Sequence, residues 1–306
     1  MIEISVIIPH LDSVDDLARC VAALEAQSQP RTSFEIIVAD NGSACGVATV
    51  QARVPTVRVV SVTERGAGPA RNAGVAVSSG RILAFTDCDC VPDRDWLVAG
   101  VAALAGADLI GGAMRVSVVD PDHMTGAEAF ESVFAFNNKF YVEDRSFSVT
   151  ANLLTTRAVF DRAGPFAKGV SEDVAWCRAA ALRGYRIAYA EGAIVSHPAR
   201  PTYAELERKW QRLTSESFEL WRSEGGSRTG WLIRAAAVLA SPFAHMWRVI
   251  GSDRLRDKAA RGRALATLFR IRFTRSLWMA RQALTQPSSP AAGTTPVSAQ
   301  KEFKSL

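Results

Sequence analysis

Asp87 and Asp89 stand one residue apart at the end of the apolar run Ile82-Leu83-Ala84-Phe85, inside the stretch RILAFTDCDCVP of residues 81–92. Two carboxylates in that spacing can approach a single hard cation, and Mg²⁺ or Mn²⁺ prefers such oxygen ligands. A solvated turn is the bland alternative, and Pro92-Asp93 fits one. Against it, the acids follow a strand-like run directly, and Cys88 and Cys90 are poor turn formers. A second acidic pair, Glu172-Asp173, opens a helical pattern after Ser171. Capping by Ser171 and the positive end of the helix dipole would explain that pair without any chemistry. His197 precedes Pro198, a setting in which a lone histidine is usually a loop residue.

These residues need elements to hold them. The run 82–85 reads as a strand buried on both faces, and in open α/β sheets ligands bind at the carboxyl ends of strands. Residues 4–9 (ISVIIP), 34–39 (FEIIVA, ending at Asp40) and 57–62 read as three more strands. An amphipathic helix over 14–27 places Leu17, Val21 and Leu24 on one face, and another helix starts with Pro69 at its first position. Alternating strands and helices imply right-handed βαβ units and a mostly parallel sheet.

The turn GAGPARNAG of residues 66–74 follows a strand and opens a helix, with Asp87 about 20 residues on, as in a dinucleotide-binding fingerprint. However, the third glycine of that fingerprint falls at Arg71, where close helix packing requires a small residue. The spacing therefore favours a helix N-terminus with Arg71 and Asn72 as donors to a phosphate or nucleotide. Further on, the pattern predicts a helix over 96–104 and a strand over 108–118. An amphipathic segment follows over 125–140, with Phe130, Phe134, Phe136 and Phe140 as core. A strand over 148–154 contains Asn152, a short helix covers 156–163, and strands follow at 186–190 and 193–195.

The 306 residues suffice for one large or two modest domains. A composition 48% hydrophobic and 22% charged is that of a globular protein rather than a disordered one. Five cysteines, an odd number without paired CxxC spacing, argue against a disulfide framework or structural zinc and suit a reducing cytoplasm. The opening MIEISVIIPH lacks the basic n-region of a signal peptide. The uncharged stretch between Arg234 and Arg248 is shorter than the roughly 18 residues a spanning helix needs.

Taken together, ISVIIP with Asp12 in the next loop, EIIVADNGS, GAGPARNAG, ILAFTDCDCVP, TANLLTTRAVFDRAGPF, the SEDVAWCRAA helix start, GYRI and His197 resemble glycosyltransferase family 2 over residues 2–200. The resemblance implies an α/β GT-A fold, a Rossmann-like nucleotide-diphospho-sugar transferase with a mostly parallel central sheet. It implies that Pro9, Asp12 and Asp40 line the nucleoside pocket, with Arg71 and Asn72 beside the nucleotide. Asp87 would face the ribose and metal. Asp89 would bind a divalent cation, Mn²⁺ or Mg²⁺, with His197 completing that site. Asp173 would be the general base and Glu172 would help to place the acceptor. The first loop departs from the family pattern by carrying Asp12 where relatives commonly place Asn. The implied cofactors and partners are the metal, a nucleotide-sugar donor with uridine as default, and a glycan or lipid-linked acceptor.

That chemistry is coherent on physical grounds. A metal bridging the diphosphate stabilises the charge that forms as the sugar bond breaks. One base and no protein nucleophile imply single displacement with inversion. A glycoside hydrolase instead needs paired carboxylates flanking the bond, and a nicotinamide oxidoreductase is weakened by Arg71. An inactive GT-A-like assembly partner is the non-enzymatic alternative.

The final third divides into a basic amphipathic helical region over 201–285, following the catalytic domain at 1–200, and a disordered tail over 286–306 rich in Pro, Ser, Thr and Ala. A helix is expected over 203–224, and an apolar helix or helical hairpin bent at Pro242 over 231–250. Over 255–284, Leu265, Phe269, Phe273 and Leu277 recur on one face, extended by Leu284. Arg263, Arg270 and Arg281 flank one side, and Arg261, Arg272 and Arg275 the other. This pattern suits a helix in the interface of an anionic membrane, which places the protein peripherally at the inner face of the cell membrane; a helix docked on the catalytic domain or on a second subunit is the alternative. Nucleic acid is disfavoured, because the arginines accompany a bulky apolar stripe rather than stacking aromatics.

Overall fold

The computed structural model describes residues 2–169 and 171–285; the tail expected over 286–306 lies outside the described residues. Apolar runs form β1 (Ile4–His10), β2 (Phe34–Asp40), β3 (Arg58–Ser61) and β4 (Ile82–Phe85), joined through α1 (Val14–Glu25), α2 (Val47–Arg53) and α3 (Ala67–Ala76). These strands pair in parallel in the spatial order β3-β2-β1-β4. The chain thus winds outward from β1 to β3 and returns on the other side of β1. This reversal makes a crevice at the carboxyl ends of β1 and β4.

Beyond β4 come β5 (Val91–Pro92), α4 (Trp96–Ala103), β6 (Leu109–Ser117), α5 (Gly126–Phe134), α6 (Asn138–Arg145), β7 (Leu153–Thr156), α7 (Arg157–Ala163), α8 (Glu172–Ala181) and β8 (Ile187–Pro198). They extend the sheet as β4-β7-β6-β8-β5, with β7 antiparallel to both its neighbours. β6 and β8 are parallel, and β5 closes the edge antiparallel to β8. Four of the seven pairings are therefore parallel. Helices cover both faces, so β1 and β4 are wholly apolar apart from the buried Ser5 and His10.

Several local expectations change. The helix after β3 begins at Ala67, so Pro69 is its third residue rather than its first. Its close packing depends on Gly74: a Cβ there would lie 2.6 Å from Ile7 Cγ2 on β1. Gly74, not position 71, is the small residue this helix requires, which leaves Arg71 free to be large. The segment 125–140 is two helices, because Asn137 leaves helical geometry and starts a second one. The strands expected at 186–190 and 193–195 are one strand, β8, whose pairing with β6 shifts register at Gly112/Ala113.

Asn152 lies in a 3₁₀ turn, Thr150–Asn152, just before β7 rather than within a strand. Its buried amide accepts from Trp96 Nε1 at 2.9 Å and donates to the carbonyls of Ala113 (3.0 Å) and Ala193 (2.9 Å). One side chain therefore satisfies backbone groups left unpaired by the register shift.

The chain groups into two compact units. Among the described residues, one comprises 2–202 and Ser252–Ala264, and the other comprises Tyr203–Gly251 and 265–285. Within the first, Arg254 Nη1 donates to the Ser132 carbonyl at 2.8 Å and Arg256 pairs with Asp122 at 3.1 Å, so residues 252–264 are fastened to the catalytic part. The second is built from α9 (Tyr203–Ser223), α10 (Arg228–Ile250) and most of α11 (Lys258–Thr285). α10 runs as a single helix through Pro242. Its Trp231, Ala235 and Val238 pack with Phe218 of α9 and with Met279 and Ala283 of α11. Arg272 and Arg275 lie over the Trp210 ring, at 5.3 and 4.9 Å, and are buried. They do not form the second edge expected for the apolar stripe. No described helix is long and apolar enough to cross a membrane.

Candidate active site

The turn after β4 carries Asp87, Cys88 and Asp89 into the crevice, fixed by a Cys90 N–H bond to the Asp87 carbonyl at 3.1 Å. Asp89 Oδ2 lies 3.2 Å from His197 Nε2, near the end of β8. His197 Nδ1 donates to the Pro198 carbonyl at 2.8 Å, so Nε2 is the nitrogen turned to Asp89. Burial opposes the charge on both groups, yet their mutual bond outweighs it: the Asp89 carboxyl is held below its ordinary range and the His197 imidazole above. The Phe136 ring packs 5.1 Å from the imidazole. Just beyond His197, Arg200 binds the buried Glu131 through its backbone N–H (2.7 Å) and Nη1 (3.0 Å).

Arg71 joins the two acidic pairs. From α3 its Nη2 reaches Asp87 Oδ1 at 2.6 Å and its Nη1 reaches Glu172 Oε1 at 2.8 Å. The guanidinium is buried. Burial alone would lower its pKa, but the two carboxylates outweigh it and raise it. Arg71 is thus a strut between the end of β4 and the start of α8. Glu172 is correspondingly committed to Arg71.

Asp173 is the next residue, and its environment differs. Burial is the main cause that pushes its carboxyl up to about 6, and the charge of Glu172 adds to it, against a 2.7 Å bond accepted from the Val174 N–H. Ser171 occupies the cap position of α8 at φ 54° and makes no side-chain cap bond, so capping by its hydroxyl does not explain this stretch, although Glu172 and Asp173 do lie in the first turn. A non-glycine residue in that region is strained, and it sits directly before the acidic pair.

Asn72, the next residue of α3, bonds to the loop after α7. Its amide donates to the Phe166 carbonyl and accepts from the Phe166 N–H, both at 2.9 Å, which clamps the 164–169 loop onto α3. Gly68 allows the same approach, since a Cβ there would meet the Ala167 oxygen at 2.5 Å.

On the other wall, Asp40 is buried at the end of β2. Its Oδ1 receives His10 Nδ1 at 2.9 Å and the Ser43 hydroxyl, and Oδ2 receives the Ser43 N–H at 3.3 Å. These bonds outweigh burial and lower its pKa. Asp12, at φ 57°, binds the Ser43 hydroxyl through its N–H (2.9 Å) and accepts the Ala44 N–H (2.7 Å). Pro9 is the next-to-last residue of β1, half-buried and opposite Ala39 in the register with β2. His10 and Ser43 were not singled out from the sequence; the signal was a histidine ending a buried strand opposite Asp40 in the parallel register. Burial pushes the thiols around the crevice up, Cys20 and Cys90 well above the usual range and Cys88 to about 12, which disfavours the thiolate.

An α/β sheet reversing at β1, with an Asp-x-Asp turn at that reversal tied to a second acidic pair, is the arrangement expected of a GT-A glycosyltransferase. The family model for Glycosyl transferase family 2 matches residues 5–167, and the chain belongs to that family. It is 33% identical to Glycosyltransferase AglE of Haloferax volcanii, over 71% of this chain and 74% of that one. It is 30% identical to the succinoglycan biosynthesis protein ExoO of Rhizobium meliloti, over 35% of this chain and 32% of that one. Among solved structures, a mannosyltransferase from Pyrobaculum calidifontis in complex with GDP-Man and Mn²⁺ matches in fold, with TM-score 0.59 at 19% identity over 92% of this chain and 87% of that one.

Proposed function

We propose that this glycosyltransferase is inverting and metal-dependent, moving a sugar from a UDP-sugar to a hydroxyl of a glycan or lipid-linked acceptor at the inner face of the membrane, in polysaccharide or glycolipid synthesis. The observation that carries this reading is the Arg71 strut: it brings Asp87, beside the Asp89–His197 pair, together with Glu172-Asp173. Such convergence counts against the inactive-partner alternative.

The donor set at Asp89 and His197 fits a cation. Two ligands of one octahedral ion, each about 2.1 Å from it, lie about 3 Å apart, and these two atoms are 3.2 Å apart. The Nδ1 bond to the Pro198 carbonyl fixes the tautomer that leaves Nε2 to coordinate. Among the described residues no group of three or more His, Cys, Asp or Glu is placed to hold a metal, so diphosphate oxygens would complete the shell. When bound, the ion would stabilise the charge of the leaving diphosphate. Asp40 retains acceptor capacity at Oδ2 for the nucleoside, with Pro9 and Asp12 beside it. Asp173 accepts the acceptor hydroxyl's proton, and a carboxylate lifted to about 6 is a far better base at neutral pH than an ordinary one.

The test is thermal stability against UDP-, GDP- and dTDP-sugars with and without Mn²⁺, on the native chain and on Asp89→Ala. A ligand bound to the folded state at a hundredfold excess over Kd stabilises by about 2.7 kcal/mol. The expected result is a metal-dependent shift with UDP-sugars that Asp89→Ala abolishes. A metal-independent shift would remove the metal from the reading, and no shift with any donor would favour the inactive partner.

A further inference from the structure

The second unit exposes large apolar side chains on two adjacent helices. Along α10, Leu232, Ile233, Leu239, Phe243, Trp247 and Ile250 face outward, with Phe243 67% and Trp247 68% exposed. Along α11, Phe269, Phe273, Leu277 and Leu284 do the same. The Phe243 and Phe269 rings meet edge to face, with centroids 5.3 Å apart, so the two stripes form one continuous face. A patch of this kind on a protein surface marks an interaction site.

Charge identifies what covers it. Among the described residues of this unit, every acid lies between Glu205 and Glu224, on α9 or directly after it, and neither α10 nor the α11 segment carries one. At about 100° per residue, Arg270 and Arg281 line one edge of the α11 stripe, opposite the side on which Met279 and Ala283 pack with α10. Both arginines are exposed. An apolar face holding Phe and Trp, edged by arginine and free of carboxylates, matches a surface that is anionic above and hydrocarbon beneath.

We propose that this face is the surface by which the chain docks on an anionic lipid bilayer, lying in the interface without crossing it. The proposal deepens the membrane part of the reading above and rests on it for its purpose. It moves the contact from a single arginine-bordered helix to a two-helix face, with α10 as the larger share.

The experiment is flotation of the full chain with phosphatidylcholine vesicles, with and without phosphatidylglycerol and without any substrate. Binding is expected only when phosphatidylglycerol is present. The double substitution Phe243→Ser with Trp247→Ser should lower the bound fraction at least tenfold, since each buried aromatic contributes about that factor. Arg270→Gln with Arg281→Gln should weaken the dependence on phosphatidylglycerol. All variants should stay folded and keep the nucleotide-induced shift, with Arg270→Gln losing only its stacking on the Tyr203 ring, which separates failure of docking from failure of the catalytic reading. Absence of vesicle binding would overturn the proposal. So would a dimer in solution that the Phe243 and Trp247 substitutions convert to monomer without any lipid binding.

Discussion

Asp173 places chemistry and stability in opposition at a single residue. Its carboxyl titrates at about 6 in the folded chain against an ordinary 3.8, a difference corresponding to a cost of up to about 3 kcal/mol at neutral pH. Above pH 6 both folded and unfolded forms are ionised, and the fold bears that whole cost. Between about pH 6 and 4 the folded state takes up the proton first, so the cost fades. Asp173→Asn should therefore be more stable than the native chain in urea titrations at pH 8, with the gain disappearing towards pH 4. Its transfer rate should fall by about 10²- to 10⁴-fold. The native rate should decline below about pH 6, on an acid limb that a pH–rate profile would resolve. The sequence made the residue types of this site legible, because Asp-x-Asp after a buried run and an acidic pair opening a helix are local patterns. It did not show their partners. Arg71 meets Glu172 across a hundred residues, and no local pattern announces that pairing.

At the scale of elements, α3 carries the crevice. One face lies on β1 through Gly74, Arg71 points to the acids, and Asn72 holds the 164–169 loop. Gly74→Ala should cost about 1–3 kcal/mol by overpacking against Ile7, read as a lowered denaturation midpoint. Asn72→Ala loses two hydrogen bonds to the Phe166 backbone and should cost about 1–3 kcal/mol. It should also speed limited proteolysis within 164–169, which Gly74→Ala should not. Period and turn chemistry revealed the alternating strands of the first half. They misjudged α3 by two residues and missed that β7 runs antiparallel between β4 and β6, because pairing direction is set by tertiary context. Asn152 illustrates the limit: nothing local distinguishes an asparagine that bonds to three other segments from one in a turn.

At the scale of the molecule, the catalytic unit is discontinuous. Residues 252–264 belong to it and are bonded to it through Arg254 and Arg256, although residues 203–251 intervene. A chain shortened to end at Thr202 should therefore melt at a lower temperature than one ending at Thr285, by calorimetry, even though it keeps every proposed site residue. The composition made the helical region visible but not this interleaving, since a segment's long-range partner leaves no periodic trace. The arrangement also imposes a timetable on biosynthesis. While the ribosome adds residues 203–251, a matter of seconds at roughly 5–20 residues per second, the nascent catalytic half waits without its last piece. α10 precedes residues 252–264 in the chain and so leaves the ribosome ahead of them, its apolar face bare before the catalytic half can be completed.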